Sequence, residues 1–273
     1  MRVTILGSGS KGNAILVEAR HTRILVDAGF SARDLERRLE MVGVGPEEIV
    51  AIVITHDHTD HTRGMGVFAR RFGTPLYLTE ATRGACTSLL RGGEELRHYR
   101  AGFPFSIGGL VVEPFLTIHD ATDPVAVAVR DADTGFKLGV ATDLGRPTAQ
   151  VRHALSGSDF LILEANHDEE LLHLGPYPWS VKSRIASSHG HLSNHAAAAL
   201  VLELLHPRLA GVVLAHLSKE CNRAALAEAV VGRALQEAGY RGFFSVAEQD
   251  RPTGPLDLPN LSRRLDPEQL PLI

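Results

Sequence analysis

Residues 55–61 read Thr55-His56-Asp57-His58-Thr59-Asp60-His61 and follow the apolar run Ile49-Val50-Ala51-Ile52-Val53-Ile54. An unbroken apolar run of that length suits a strand buried on both faces. Residues 62–72 continue with the pattern of a helix. Three imidazoles and two carboxylates therefore leave the end of a buried strand and turn into a helix. Alternate residues of an extended segment point the same way, so His56 and His58 can share one ion. Asp60 and His61 begin the next turn and aim elsewhere, which suits a second ion about 3.5–4 Å away. A polar loop kept only for solubility gains nothing from so dense a set of ligating groups.

The chain has 273 residues, enough for one large α/β domain with a sizeable core. The reading is a single domain over 1–247, followed by a C-terminal extension, 248–273. The extension is rich in proline, lacks periodicity, and is expected to be loosely held or to pack in trans. A formal net charge of −4 gives no general sign of nucleic-acid binding but allows a local basic patch. Cys86 and Cys221 are the only cysteines, which argues against a disulfide framework and for a reducing compartment. Met1 to Gly7 reads as a first strand rather than a signal peptide, and no apolar run approaches membrane-spanning length. A cytoplasmic protein without a membrane segment is the expectation.

Along the chain, Val3 to Leu6 ends in Gly7-Ser8-Gly9-Ser10-Lys11-Gly12-Asn13. This turn lacks the spacing of a nucleotide-binding phosphate loop, and a strand follows it. It reads as a hairpin turn, with a sharper version in which Ser10 and Asn13 face a metal site and touch a phosphate. A hairpin, Ala14–Ala19 with Arg23–Val26, runs into Asp27-Ala28-Gly29 and a helix capped by Ser31. A second hairpin, Val125–Val129 with Lys137–Ala141, runs into Thr142-Asp143-Leu144-Gly145 and another helix. Leu209 to Leu214 ends in Ala215-His216, as Ile49 to Ile54 ends in Thr55-His56. Two similar halves facing each other predict a four-layer αββα sandwich. They also bring Asp143 and His216 onto the histidine segment. His119, just past the apolar Leu110–Phe115 segment, sits where a strand-end ligand would.

The HxHxDH segment after a buried strand resembles the signature of the metallo-β-lactamase fold hydrolases. Within them the chain looks most like the YycJ/WalJ-like subfamily. The strings GSGSKGN, THDHTDH, IHDATDP, ATDLG, LEANHD, GPYPWSVKSRI, GHLSN and LAHLSKECN carry the resemblance from residue 7 to residue 222. His167 departs from it where an aromatic residue is usual, and Cys221 where asparagine is usual. The resemblance implies a two-metal hydrolase acting on DNA as a 5′-to-3′ exonuclease linked to DNA repair. DNA, as single strands or 5′ ends, and repair proteins would be its partners. Asp27 would orient the histidine segment. The repeat and the resemblance together imply one ion on His56, His58, His119 and Asp143, and another on Asp60, His61, His216 and Asp143. This nitrogen and oxygen set suits Mn, Zn or Fe, and the subfamily usually favours Mn.

Glu164 and the GHLSN string also resemble the glutamate and histidine of the tRNA-maturing ribonuclease Z enzymes. Carried over, His191 becomes the general acid and Glu164 its orienting carboxylate, with Asp60 alongside them among the catalytic groups. The alternative for His191 is a neighbour of the Ser193 helix cap with no chemistry. Ser10, Asn13, Lys182, Arg184, Lys219, Asn222 and Arg223 are the expected substrate-binding residues, the cations gripping a DNA backbone. Arg33, Arg37 and Arg38 read as a solvated helix face. Two other readings stand beside the nuclease: a small-molecule hydrolase of the same fold (thioesterase, lactamase or cyclic phosphodiesterase), and a nucleic-acid-binding protein whose metal is structural. A structural site is closed and needs no acid, which disfavours the last.

Overall fold

The computed structural model describes residues 1–265. Six strands build the first sheet in chain order: β1 (Arg2–Gly7), β2 (Ala14–Ala19), β3 (Thr22–Val26), β4 (Ala51–Val53), β5 (Leu76–Leu78) and β6 (Leu96–His98). The first three are antiparallel, and β3 to β6 run parallel. The second sheet holds β7 (Phe105–Ile107), β8 (Leu110–Leu116), β9 (Val125–Asp131), β10 (Lys137–Ala141), β11 (Phe160–Glu164), β12 (Gly211–Ala215) and β13 (Phe243–Val246). It too begins antiparallel and becomes parallel from β10 onward. A last short strand, β14 (Leu256–Asp257), returns to the free edge of β1.

Side chains alternate along each strand, and that alternation makes the layers. Val3, Ile24, Val26 and Val53 of the first sheet meet Val127, Val140, Ile162 and Val213 of the second in one inner core. Leu25, Ile52 and Ile54 point the other way, onto Leu35, Leu39 and Phe68 of the outer helices. Leu161, Leu163, Val212 and Leu214 likewise face Leu200, Val201 and Leu204. Helix, sheet, sheet, helix is the αββα sandwich expected from the repeat. Burial on both faces explains why the central strands read as continuous apolar runs.

Residues 224–237 are one helical run that contains a π-helical turn, Glu228–Gly232. Three local expectations change. The helix expected over 62–72 is two: Thr59–Thr62, which carries Asp60 and His61 in its first turn, and Met65–Phe72, with Gly64 between them. Arg38 is not solvated: it is buried, its guanidinium lying over Phe30, paired with Asp34 and donating to the Leu6 carbonyl. The segment expected to be loose or to pack in trans binds its own chain. Thr253 exchanges backbone and side-chain hydrogen bonds with Ile5. Gln249 holds Lys11 and Gly12 of the glycine-rich turn. Leu258 opens a helix, Leu258–Leu265, and is fully buried in the inner core. The remainder of that extension, 266–273, lies outside the described residues. Leu258→Ala should therefore cost about 2–5 kcal/mol, as truncation of a buried leucine does, read as a lower urea midpoint. An unchanged midpoint would mean that this segment is dispensable to the fold.

Candidate metal centre

Five of the seven candidate ligands sit past strand ends, and Asp60 and His61 lie in the helix Thr59–Thr62 that follows. His56 and His58 follow β4, His119 follows β8, Asp143 follows β10 and His216 follows β12. Ligands of open α/β sheets gather outside the carboxyl ends of parallel strands in this way. Asp27, Asp143 and His216 take left-handed backbone conformations, φ 64°, 56° and 55°. Such conformations are uncommon outside glycine and concentrate at functional sites. Hydrogen bonds hold the turns in place: His216 N–H donates to Ser8 Oγ, and the His216 carbonyl accepts from Asn166. Gly29 lets the Asp60 turn come close, since a Cβ there would collide with the Asp60 carbonyl.

The side chains form two adjoining groups, and a third possible set, Asp143, Glu164, His191 and His216, overlaps them. His56, His58, His119 and Asp143 present ligand atoms within 4.8 Å of one another, and so do Asp60, His61 and His216. Asp143 lies between them: one oxygen is 3.5 Å from His119 Nε2, the other 3.0 Å from His61 Nε2. His58 Nδ1 is 3.3 Å from His119 Nε2, and His216 Nε2 is 3.3 Å from Asp60 Oδ2.

Each imidazole turns one nitrogen inward and holds its other one on the fold. Outer nitrogens meet Thr55 Oγ1 (His56), the Asp120 carbonyl (His58), Asp27 Oδ2 (His61), the Gly190 carbonyl (His119) and Glu164 Oε1 (His216). Partners of this kind fix the tautomer and aim of metal-ligating histidines. Asp27 also accepts from the backbone and hydroxyl of Thr55, as the resemblance implied. Inside the ring, His56 Nε2 and Asp143 Oδ2 are buried with no hydrogen-bond partner. Buried polar atoms are almost always satisfied, so atoms left bare at the convergence of imidazoles fit a divalent cation.

Electrostatics agree. Burial and the adjacent His61 imidazole push His56 well below its ordinary value. Burial disfavours the Asp143 carboxylate, yet His216 and His61 overcome it and hold the carboxyl well below the usual range. Burial also lowers His216, but Asp143, Asp60 and Glu164 carry it up to about 10. Protons on imidazoles here balance clustered carboxylates, and bound cations would take over that balance.

Glu164 does more than the sequence implied. It is fully buried and accepts from the backbone of Asp143, Leu144 and Leu192. Its Oε1 lies 2.8 Å from Nδ1 of both His191 and His216. Against the penalty of burial, the His191 and His216 contacts bring its carboxyl to about 2. His191 itself is partly exposed, its ring centroid 5.0 Å from that of His119 and 5.3 Å from that of His216.

The expected substrate-binding residues divide. Ser10, Lys219 and Arg223, with Lys11, line a cavity of about 300 Å³ on the His216 side. Lys182 and Arg184 lie on the helix Trp179–Ile185, and Arg184 reaches Asp120 beside His119. Cations thus flank the centre on both sides. Asn222 lines the same cavity as Ser10 and Lys219, and the side chains of Asn13 and Asn222 are buried and hydrogen-bonded within the fold. Asn13 accepts from Ser8 and Gly9 and donates toward Gly9 O and Asp60. Asn222 pairs with Asn194 and donates to Ala165 O. Through these bonds they brace the walls of the centre. Thr55 and the carbonyls of Asp120 and Gly190 are contributors that sequence reasoning missed. Only Thr55 left a signal, as the polar residue between strand and first ligand.

Comparison with known proteins is consistent with this geometry. Residues 22–216 match the family described as the β-lactamase superfamily domain. The chain is 33% identical over 242 residues to the exodeoxyribonuclease YycJ of Bacillus anthracis, spanning 88% of this chain and 91% of that one. It is 36% identical over 241 residues to the exodeoxyribonuclease WalJ of Streptococcus pneumoniae, spanning 87% and 89%. Its fold is similar to that of the metallo-β-lactamase fold protein YhfI of Bacillus subtilis, with a TM-score of 0.70 at 18% identity, covering 92% of this chain and 98% of that one.

Proposed function

The chain belongs to the β-lactamase superfamily, in the group of the YycJ and WalJ exodeoxyribonucleases, and from that premise we propose that it is a metal-dependent phosphodiesterase that degrades DNA from 5′ ends. One observation carries the reading: Asp143 directs one oxygen toward His119 and the other toward His61, and beside it His191 stands on a buried carboxylate with its ring partly exposed. His56, His58, His119 and Asp143 would hold one divalent ion, and Asp60, His61, His216 and Asp143 the other. The nitrogen and oxygen donors suit Mn, Zn or Fe alike, and Mn is our assignment on the resemblance to the YycJ and WalJ group. Bound ions would activate water and offset phosphoryl charge. The remaining work belongs to this chain's own side chains. Glu164 fixes the His191 Nδ1 proton, leaving Nε2 to give a proton to the leaving oxygen. Asp27 and Asn13 keep the Asp60–His61 turn in place.

The small-molecule alternative finds no support in these relatives, and a purely structural metal would not need His191. Among the described residues no helix is long and apolar enough to cross a membrane. Both cysteines are buried and free. We place the protein in the cytoplasm, at DNA repair.

Lys182, Arg184, Lys219 and Arg223 bind phosphates in this reading. With four such contacts to a single strand, log affinity should fall against log salt with a slope of roughly −3. Lys219→Ala should make that slope shallower by about 0.7. Oligonucleotide binding measured across salt concentrations tests this, and a flat dependence would rule out the phosphate grip. The overall activity is tested by supplying end-labelled DNA with each metal in turn.

A further inference from the structure

The only tryptophan of the chain, Trp179, is 75% exposed on the helix Trp179–Ile185, which buries none of its residues. A cavity of about 440 Å³ opens beside it, lined also by Leu172, Lys182 and His167. His167 is only 3% exposed, yet its Nδ1 has no hydrogen-bond partner. A large aromatic face left in water is costly, and a buried ring nitrogen without a partner is rare. Both face one cavity, and a lysine stands one helical turn from the tryptophan.

The helix is tied to the reaction centre at its far end. The Ile185 carbonyl accepts from His191 N–H, and Arg184 approaches Asp120. Gly190 has no Cβ because one would strike the Arg184 and Ile185 carbonyls. Trp179 and Ile185 are separated by roughly 9 Å of helix rise. That corresponds to about two to three nucleotides of stacked strand.

We propose that this cavity is a nucleobase subsite for unpaired DNA, in which Trp179 stacks on a base, Lys182 and Arg184 hold the adjoining phosphates, and His167 forms part of the wall. The proposal rests on the DNA-cleaving reading above and adds the feature that recognises a single strand. Here cations interleave with the aromatic face, the combination that single-stranded nucleic acid uses.

The test uses the single tryptophan as its own reporter. The wild-type protein is titrated with a phosphorothioate oligothymidylate and with an abasic strand of equal length and charge, following fluorescence of Trp179 and anisotropy of a labelled strand. Base stacking should quench the fluorescence with oligothymidylate, while the abasic strand binds without quenching. Trp179→Ala should weaken oligothymidylate about 5–150-fold, the loss of one stacked base, and leave abasic affinity where it was. Equal quenching by both strands, or oligothymidylate affinity unchanged in Trp179→Ala, would overturn the subsite. So would a blue shift that grows with protein concentration without DNA, which would make this face an interface between copies. If the metal-loaded wild-type protein neither binds nor cuts DNA, the functional reading falls as well. Normal cutting with a silent Trp179 removes only the subsite.

Discussion

Asp143→Ala is expected to leave the protein folded but short of at least one metal ion, with DNA hydrolysis nearly abolished. Loss of an outer partner at a metal site costs about 10–100-fold in affinity or activity, and loss of a shared inner ligand should cost more. The expectation comes from where the carboxylate lies, one oxygen toward His119 and the other toward His61. It comes also from its backbone, held at positive φ and donating to Glu164. Alanine at that φ is itself strained, so Asp143→Asn, which keeps a left-handed-tolerant residue, should accompany it. Metal content by elemental analysis, beside a urea unfolding curve, separates the two effects. Both ions retained in the two variants would end the assignment of Asp143 as a shared ligand.

His191→Ala should behave differently, keeping both ions and DNA binding while turnover falls about 10²–10⁴-fold. The ring is partly exposed and its Nδ1 is committed to Glu164, so although His191 also forms a possible ligand set with Asp143, Glu164 and His216, its removal should leave the seven assigned ligands in place. A DNA end carrying a leaving group that needs no proton should restore much of the rate. If His191→Ala loses metal and turnover per bound ion is unchanged, His191 is a ligand instead. Glu164 makes a blunter probe. Because it also holds His216 and three backbone N–H groups, Glu164→Gln should disturb metal uptake as well as proton transfer.

These expectations show how far the residues themselves could be read. The histidine segment was legible because ligands at a strand end need no tertiary knowledge, only the alternation of an extended chain. The paired Asp27 and Asp143 were legible because each half repeats a hairpin, an aspartate and a glycine. The structure adds that both aspartates share a left-handed backbone, the physical reason the motif recurs. Other features depend on contacts that no local pattern records. The two residues of β14 pair with a strand some 250 positions earlier, and no period fits so short a strand. Asn13 and Asn222 read as substrate-binding residues, and the bonds their buried amides make, to Asp60 and to Asn194, come from segments far off in the chain. The double duty of Glu164 depends on two histidines arriving from separate loops. Arg38 shows the same limit on a helix, where a cation on the outer stripe finds a carbonyl and a phenyl ring to cover it.

The central claim is that the ions held by these seven residues cut DNA from its 5′ end. The most direct measurement strips the purified protein of metal, restores Mn, and follows 5′-labelled and 3′-labelled strands side by side. The account predicts no product without metal, and with Mn an early release of labelled mononucleotide from the 5′-labelled strand while the 3′-labelled strand shortens progressively. Cutting that persists without any divalent ion, or a fully loaded protein that leaves both strands intact, would contradict it.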